Sequence, residues 1–107
     1  MTICYSEAAR EDVIRQFRYY LVTLDLPEVA LHFKQAVRAT VEAIVNHPNA
    51  GPPCRLRNPR LGNLRSWPIR GFEDIRCYYQ PEGDHMLHVV RFLHGKRDVR
   101  RILEKER

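Results

Sequence analysis

The stretch LRSWPIRGFEDIRCYY (64–79), continued by HMLHVVRFLHG (85–95), decides how this chain is read. Around Arg70-Gly71-Phe72, two short runs rich in β-branched and aromatic residues predict paired strands, about Leu64 to Ile69 and Asp74 to Gln80. A second turn at Pro81-Glu82-Gly83-Asp84 leads into a third strand, about His85 to Leu93. There Met86, His88, Val90 and Phe92 alternate with Leu87, Val89, Arg91 and Leu93, so apolar side chains point both ways, as in a strand lying inside a sheet. Gly95 ends the run, and Lys96 to Lys105 predict a short final helix with Val99, Ile102 and Leu103 on its apolar side.

Upstream lies HPNAGPPCRLRNPRLGN (47–63), where four prolines and two glycines exclude regular structure and Arg55, Arg57 and Arg60 add charge. This predicts a stiff, basic loop, of a length at which loops are often functional. Before it, Ala9, Val13, Phe17, Tyr20, Leu21 and Leu24 recur at helical spacing. They form one stripe on a helix that Ser6 caps and that ends near Asp25. Pro27 suits the first turn of a second helix, in which Val29, Phe33, Ala36, Val37, Thr40, Val41 and Ile44 carry the period to about Asn46. Thr2 to Tyr5 predicts a short first strand. The expected fold is therefore α+β, β-α-α-β-β-β(-α): a helical hairpin packed on a small, mainly antiparallel four-stranded sheet, as one domain over 1–107.

Eighteen Lys and Arg against thirteen Asp and Glu give a formal charge of +5, which favours nucleic acid or an acidic protein segment as partner. Apolar residues at 44% are too many for a chain that stays disordered. Three cysteines, Cys4, Cys54 and Cys77, form no C-x-x-C pair and read as reduced thiols, Cys77 as a buried small hydrophobe. His32, His47, His85 and His88 lack metal-ligand spacing, so neither a metal nor a cofactor is expected. MTICYSEAAR has no basic stretch followed by an apolar run, and no segment approaches membrane-spanning length, which makes the cytoplasm the expected compartment.

Four pieces in fixed order carry a family resemblance: Ser6-x-x-Ala9, Pro48-x-x-Gly51, the Leu64-Arg65 and Gly71-Phe72 hairpin, and the close Arg91-x-x-His94-Gly95-x-Arg97-Asp98. Together they resemble the RelE/ParE toxin superfamily of type II toxin–antitoxin modules, and the last piece is more similar to the ParE branch, the plasmid stabilisation proteins. The resemblance implies a growth-inhibiting toxin, held in a hetero-oligomer by a cognate antitoxin with an acidic or amphipathic C-terminal segment. ParE-like members bind and poison DNA gyrase, while RelE-like members cut messenger RNA on the ribosome. A third possibility is a relative that has lost toxicity and survives as an antitoxin-bound partner.

The two active classes ask different things of the residues. A metal-free ribonuclease must move protons and stabilise a charged phosphorane, for which Arg65, Arg76, Arg91 and His94 are the candidates, with Glu73 as a second base. A binding toxin needs only a recognition surface, and Arg65, Arg70, Arg76, Arg91, His94, Lys96 and Arg97 are the candidates for contacts with target or antitoxin. A helix follows Gly95, as in the non-nuclease branch, so the leading expectation is a ParE-like toxin with no chemistry of its own.

Each candidate also has a plainer reading. His94 can bond a neighbouring backbone group while Gly95 adopts a conformation that other residues avoid. Arg65, Arg70, Arg76 and Arg91 can be a solvated row on the open face of the sheet, although a guanidinium in a central strand calls for an acidic or phosphate partner at Arg91. Arg97-Asp98 can be an ion pair or a helix cap, and Lys96 and Arg97 at a helix start suit a bound anion. Trp67 and Phe72 read as core or hairpin packing before base-stacking platforms.

Overall fold

The computed structural model describes residues 1–95 and 99–105. Strand β1 (Thr2–Tyr5) leads into helix α1 (Glu7–Arg18), one π-helical turn (Tyr19–Thr23) and helix α2 (Pro27–Asn46). Strands β2 (Arg65–Ile69), β3 (Phe72–Glu82) and β4 (Met86–His94) follow, and helix α3 (Val99–Glu104) comes after them. The four strands lie in the order β1-β4-β3-β2, with β1 parallel to β4 and the other pairs antiparallel. The α+β architecture and the interior place of β4 agree with the sequence reading. The beginning of the expected last helix, Lys96 to Asp98, lies outside the described residues.

Ser6 shows how β1 hands the chain to α1. Its Oγ accepts the Ala9 amide at 2.9 Å, the N-cap bond that a helix start needs, and donates to the Val90 carbonyl at 2.6 Å. Ala9 is fully buried where α1 meets the sheet. The same hydroxyl thus starts the helix and docks it on β4.

The stripe of α1 is shorter than its sequence period predicts. Leu21 and Leu24 are exposed rather than buried. The cause is the π turn, in which the Leu24 amide bonds the Tyr19 carbonyl at 3.0 Å, five residues back. The wider turn rotates later side chains off the 3.6-residue period. Asp25 then takes a left-handed φ of 52° and the Leu26 amide closes on the Tyr20 carbonyl at 2.8 Å, which stops the helix before Pro27.

Two cores sit on the two faces of the sheet. On the first, α1 and α2 bring Ala9, Phe33, Val37, Val41 and Ile44 against Ile69, Ile75, Cys77, Tyr79, Leu87, Val89 and Phe92. Trp67 and Phe72 pack at its margin, and Phe72 meets the rings of Tyr20 and Phe33 with centroids 5.6 and 5.4 Å away. On the second, Leu61, Leu64, Tyr78, Val90, Leu93 and Leu103 form a smaller cluster.

That second cluster corrects the expectation of an open sheet face. The loop after α2 folds back over it, with a short 3₁₀ turn at Pro59–Leu61, and α3 closes the same side. The loop is tied down by α3: the Arg57 and Asn58 amides donate to Glu104 Oε1 at 2.9 and 3.2 Å, and Arg100 reaches the Arg55 carbonyl at 3.2 Å. Strand β3 also runs two residues further than predicted, through Pro81 to Glu82. A proline is accommodated there because β2 starts at the Arg65–Tyr79 pair and leaves β3 unpaired on that side beyond Tyr79.

Candidate functional site: the arginines and His94

The strand register distributes the candidate arginines instead of clustering them. Arg65 pairs with Tyr79 and so lies on the helix-covered face, whereas Arg76 pairs with Pro68 and Leu93 on the other. Arg65 donates from one guanidinium nitrogen to the Asn49 and Gly51 carbonyls at 3.0 and 2.6 Å, bracing the start of the basic loop. Arg76 turns both Nε and a terminal nitrogen onto Ser66 Oγ, at 3.1 and 3.0 Å. Arg70 is exposed in the β2–β3 turn. Lys96 and Arg97 lie outside the described residues.

Arg91 has the acidic partner that its central position calls for. Asp12 of α1 takes its Nε at 2.7 Å and a terminal nitrogen at 2.9 Å, and also accepts the Phe92 amide at 3.0 Å. The Asp12 side chain is 3% exposed and that of Arg91 14%. Two features of β4 explain the geometry. Its pairing with β1 ends at Tyr5–Val89, and a register shift opposite Tyr78–Tyr79 leaves Val90 as an extra residue. Past that point β4 has a free edge, and α1 covers it with Ser6 on the Val90 carbonyl and Asp12 on the Phe92 amide. Asp12 is the residue that the sequence reading missed. The available signal was a carboxylate at i+3 from Ala9, one place before Val13, on the border of an apolar stripe.

His94 pairs with Ile75 at the end of β4, on the helix side of the sheet. Its half-buried ring lines two shallow hollows of about 340 and 350 Å³, one with Glu73, Asp74, Tyr20 and Phe72, the other with Asp12, Arg15, Gln16 and Phe33. Glu73 is held at the hairpin, where its Oε2 accepts the Gly71 amide at 2.6 Å. The expected bond from the His94 ring to backbone is not formed with any described residue. Gly95 is not in the left-handed region either; positive φ among the described glycines occurs at Gly71 and Gly83. The strand end is fixed instead by the Gly95 amide on the Asp74 carbonyl, at 2.6 Å.

Gly51 accounts for the Pro-x-x-Gly piece. Its amide donates to the Tyr79 hydroxyl at 3.1 Å, and a Cβ there would stand 2.6 Å from the Ser66 carbonyl, with the Tyr79 hydroxyl also in the way. The basic loop therefore enters over the end of Tyr79, clamped by Arg65 from the side. Burial pushes the Tyr79 phenol above its ordinary value, against the smaller opposing effects of the Gly51 hydrogen bond and the Arg65 charge. Cys77 is fully buried and its thiol is likewise pushed up by burial.

No group of three or more His, Cys, Asp or Glu among the described residues has the geometry to hold a metal ion. No helix among them is long and apolar enough to cross a membrane.

A helical hairpin fed by a parallel edge strand and followed by an antiparallel three-stranded meander is the architecture of the small RelE/ParE-type toxins. The family model described as "ParE toxin of type II toxin-antitoxin system, parDE" matches residues 3–99, and the chain belongs to that family. No curated protein sequence gives a significant match. Among solved structures, the chain is similar to one described as "Chromosomal ParDE TA system from P. aeruginosa". The TM-score is 0.68 at 19% identity, covering 88% of this chain and 95% of the other, a likeness of fold.

Proposed function

We propose that this ParE-family chain acts by binding DNA gyrase and trapping it on DNA, without chemistry of its own, and that a cognate antitoxin neutralises it. The observation that carries this reading is the dispersal of the groups a ribonuclease would need. His94 lies on the helix side beside Glu73 and Asp74, Arg76 is turned onto Ser66 across the sheet, Arg65 holds the loop and Arg91 is engaged by Asp12. A phosphorane needs several donors converging on one point, and the carboxylates beside His94 repel a phosphate. Recognition asks for no such convergence.

The antitoxin reading is supported by the helical hairpin. Ile14, Val22 and Leu31 are 50, 72 and 56% exposed, and Leu21, Leu24 and Leu26 extend the apolar patch around the bend. Arg15, Arg18 and Lys34, together with Glu11, line the two hollows around Ile14, Leu21 and Val22. An acidic, amphipathic segment that folds on binding matches this pattern of apolar centre and basic rim.

The test is tightly controlled expression in a bacterial host, following DNA-damage signalling and plasmid supercoiling beside messenger integrity. Damage signalling with intact messengers supports the reading. Cleavage of messengers at ribosome-positioned codons, with gyrase unaffected and activity abolished by His94→Ala, would sink it.

A further inference from the structure

The covering of the second sheet face concentrates the charge of the molecule. Residues 52–64 and 99–105 hold six cations, Arg55, Arg57, Arg60, Arg100, Arg101 and Lys105, and one acid, Glu104. The other twelve Lys and Arg balance the other twelve Asp and Glu, so the whole formal surplus of +5 belongs to these two segments. All six cations are exposed. The Glu104 carboxylate is turned onto the Arg57 and Asn58 amides at 2.9 and 3.2 Å, where it serves the backbone.

This surface is set before any partner arrives. Pro52, Pro53 and Pro59 restrict the loop. The Cys54 amide bonds the Leu64 carbonyl at 2.8 Å and the Ser66 amide the Pro52 carbonyl at 3.2 Å. Asn58 Nδ2 donates to the Leu103 carbonyl at 3.2 Å, and Gln80 Nε2 to the Arg60 carbonyl at 2.8 Å. The loop arginines enter the bonds to Glu104, Gln80 and Arg100 through backbone atoms. The fold thus fixes where Arg55, Arg57 and Arg60 stand without engaging their guanidinium groups in those bonds, and the cost of ordering them is met on folding.

The neighbours of these cations select the partner. Apart from Met1, the large apolar side chains exposed among the described residues lie between Ile14 and Leu31, on the helical hairpin. Leu61, Leu64 and Leu103 of the charged segments are buried in the second cluster instead. A protein segment that folds on binding needs exposed apolar surface to cover, and the hairpin is where this chain offers it. Neither charged segment contains an aromatic residue, so neither supplies a ring on which the bases of a single strand could stack. Arginines without apolar or aromatic neighbours match the closely spaced phosphates of a duplex, which the guanidinium fork binds bidentately.

We propose that the face formed by this loop and α3 binds the phosphate backbone of duplex DNA without reading its sequence. The choice of DNA over duplex RNA rests on the gyrase reading, in which the target holds DNA. The binding itself is measured without gyrase, so either statement can fail while the other stands.

The experiment titrates the full chain into a labelled DNA duplex of about 20 base pairs and follows fluorescence anisotropy between about 50 and 200 mM salt. The expected dissociation constant is on the order of 10⁻⁵ M near 0.1 M salt, with a log–log salt slope of about −3 to −4. Arg55→Gln combined with Arg57→Gln should weaken binding by about tenfold and flatten the slope by about 2. Arg60→Gln alone should weaken it by about threefold. Arg10→Gln combined with Arg38→Gln, two exposed positions on the hairpin, removes the same charge as the loop pair and should change affinity by less than about twofold. Thermal melts establish that each variant is native. A slope unchanged in the loop variants, or equal weakening by the hairpin pair, overturns the proposal. So does tighter binding of a single strand, of duplex RNA of the same length or of poly-glutamate than of the DNA duplex.

Discussion

Asp12 of α1 and Arg91 of β4, 79 residues apart in sequence, are joined by hydrogen bonds of 2.7 and 2.9 Å in a setting where the carboxylate is 3% exposed. The same carboxylate takes the amide of Phe92, so it covers the edge of β4 that β1 leaves bare. Removing it takes the carboxylate away from a guanidinium that is 14% exposed and leaves a backbone donor without its acceptor. Asp12→Ala should cost about 3–5 kcal/mol, a large part of the stability of a domain this size. Urea unfolding would measure it. The double variant Asp12→Leu, Arg91→Met should recover part of the loss, because both charges of the pair leave together. A loss at Asp12 below about 1 kcal/mol contradicts this account of the pair.

Gly51 is the second fixed point. Gly51→Ala places a methyl against the Ser66 carbonyl and the Tyr79 hydroxyl, and should cost about 1–3 kcal/mol by overpacking. Tyr79→Phe removes one hydrogen bond and should cost about 1 kcal/mol. It should relieve only part of the alanine penalty, since the Ser66 carbonyl stays. A thermal-melt series of the two single variants and their combination checks both statements.

Stability should fall in alkali through the buried phenols. Burial raises the Tyr5, Tyr78 and Tyr79 values above the ordinary 10.0. Above that value the unfolded chain gives up these protons while the native chain keeps them. The unfolded state then binds fewer protons, and stability declines as pH rises. The contribution is complete below pH 10 and lost as pH rises through the native values. Denaturant midpoints between pH 8 and 11.5 should show a decline that begins near 9, where the Cys77 thiol ionises in the unfolded chain but is held protonated by burial in the native one, and steepens above 10 through the phenols; Tyr78→Phe should flatten the later part.

If the hairpin patch receives the antitoxin, Val22→Asp should weaken that complex by tenfold or more, since a carboxylate would meet an acidic partner in an apolar contact. Val22 is 72% exposed, so folding stability should change by less than about 0.5 kcal/mol. Calorimetric titration of antitoxin peptide into the variant separates the two. Binding to the native chain should also weaken as salt rises, through Arg15, Arg18 and Lys34.

Much of this molecule was legible in its sequence because local chemistry and fold agree. Ser6 reads as a cap and is one, Pro27 opens α2, and the two-sided apolar pattern of 86–93 places β4 inside the sheet. What was not legible depends on distances along the chain that periodicity does not carry. The π turn that exposes Leu21 and Leu24 leaves no mark in the apolar spacing. The covering of the second face by residues 52–64 and α3 rests on contacts such as Glu104 with the Arg57 and Asn58 amides, 47 and 46 residues away. The arginines looked like one surface because a sequence lists them together. A strand alternates faces at every residue, and pairing sends Arg65 and Arg76 to opposite sides.

The most direct test of the central claim adds the purified chain to DNA gyrase and plasmid and follows supercoiling and trapped, cleaved DNA. The account predicts inhibition with accumulation of gyrase-linked breaks, reversed by the cognate antitoxin and retained in His94→Ala. Undisturbed supercoiling by the native chain, together with messenger cleavage in a ribosome-containing extract that His94→Ala abolishes, would contradict it.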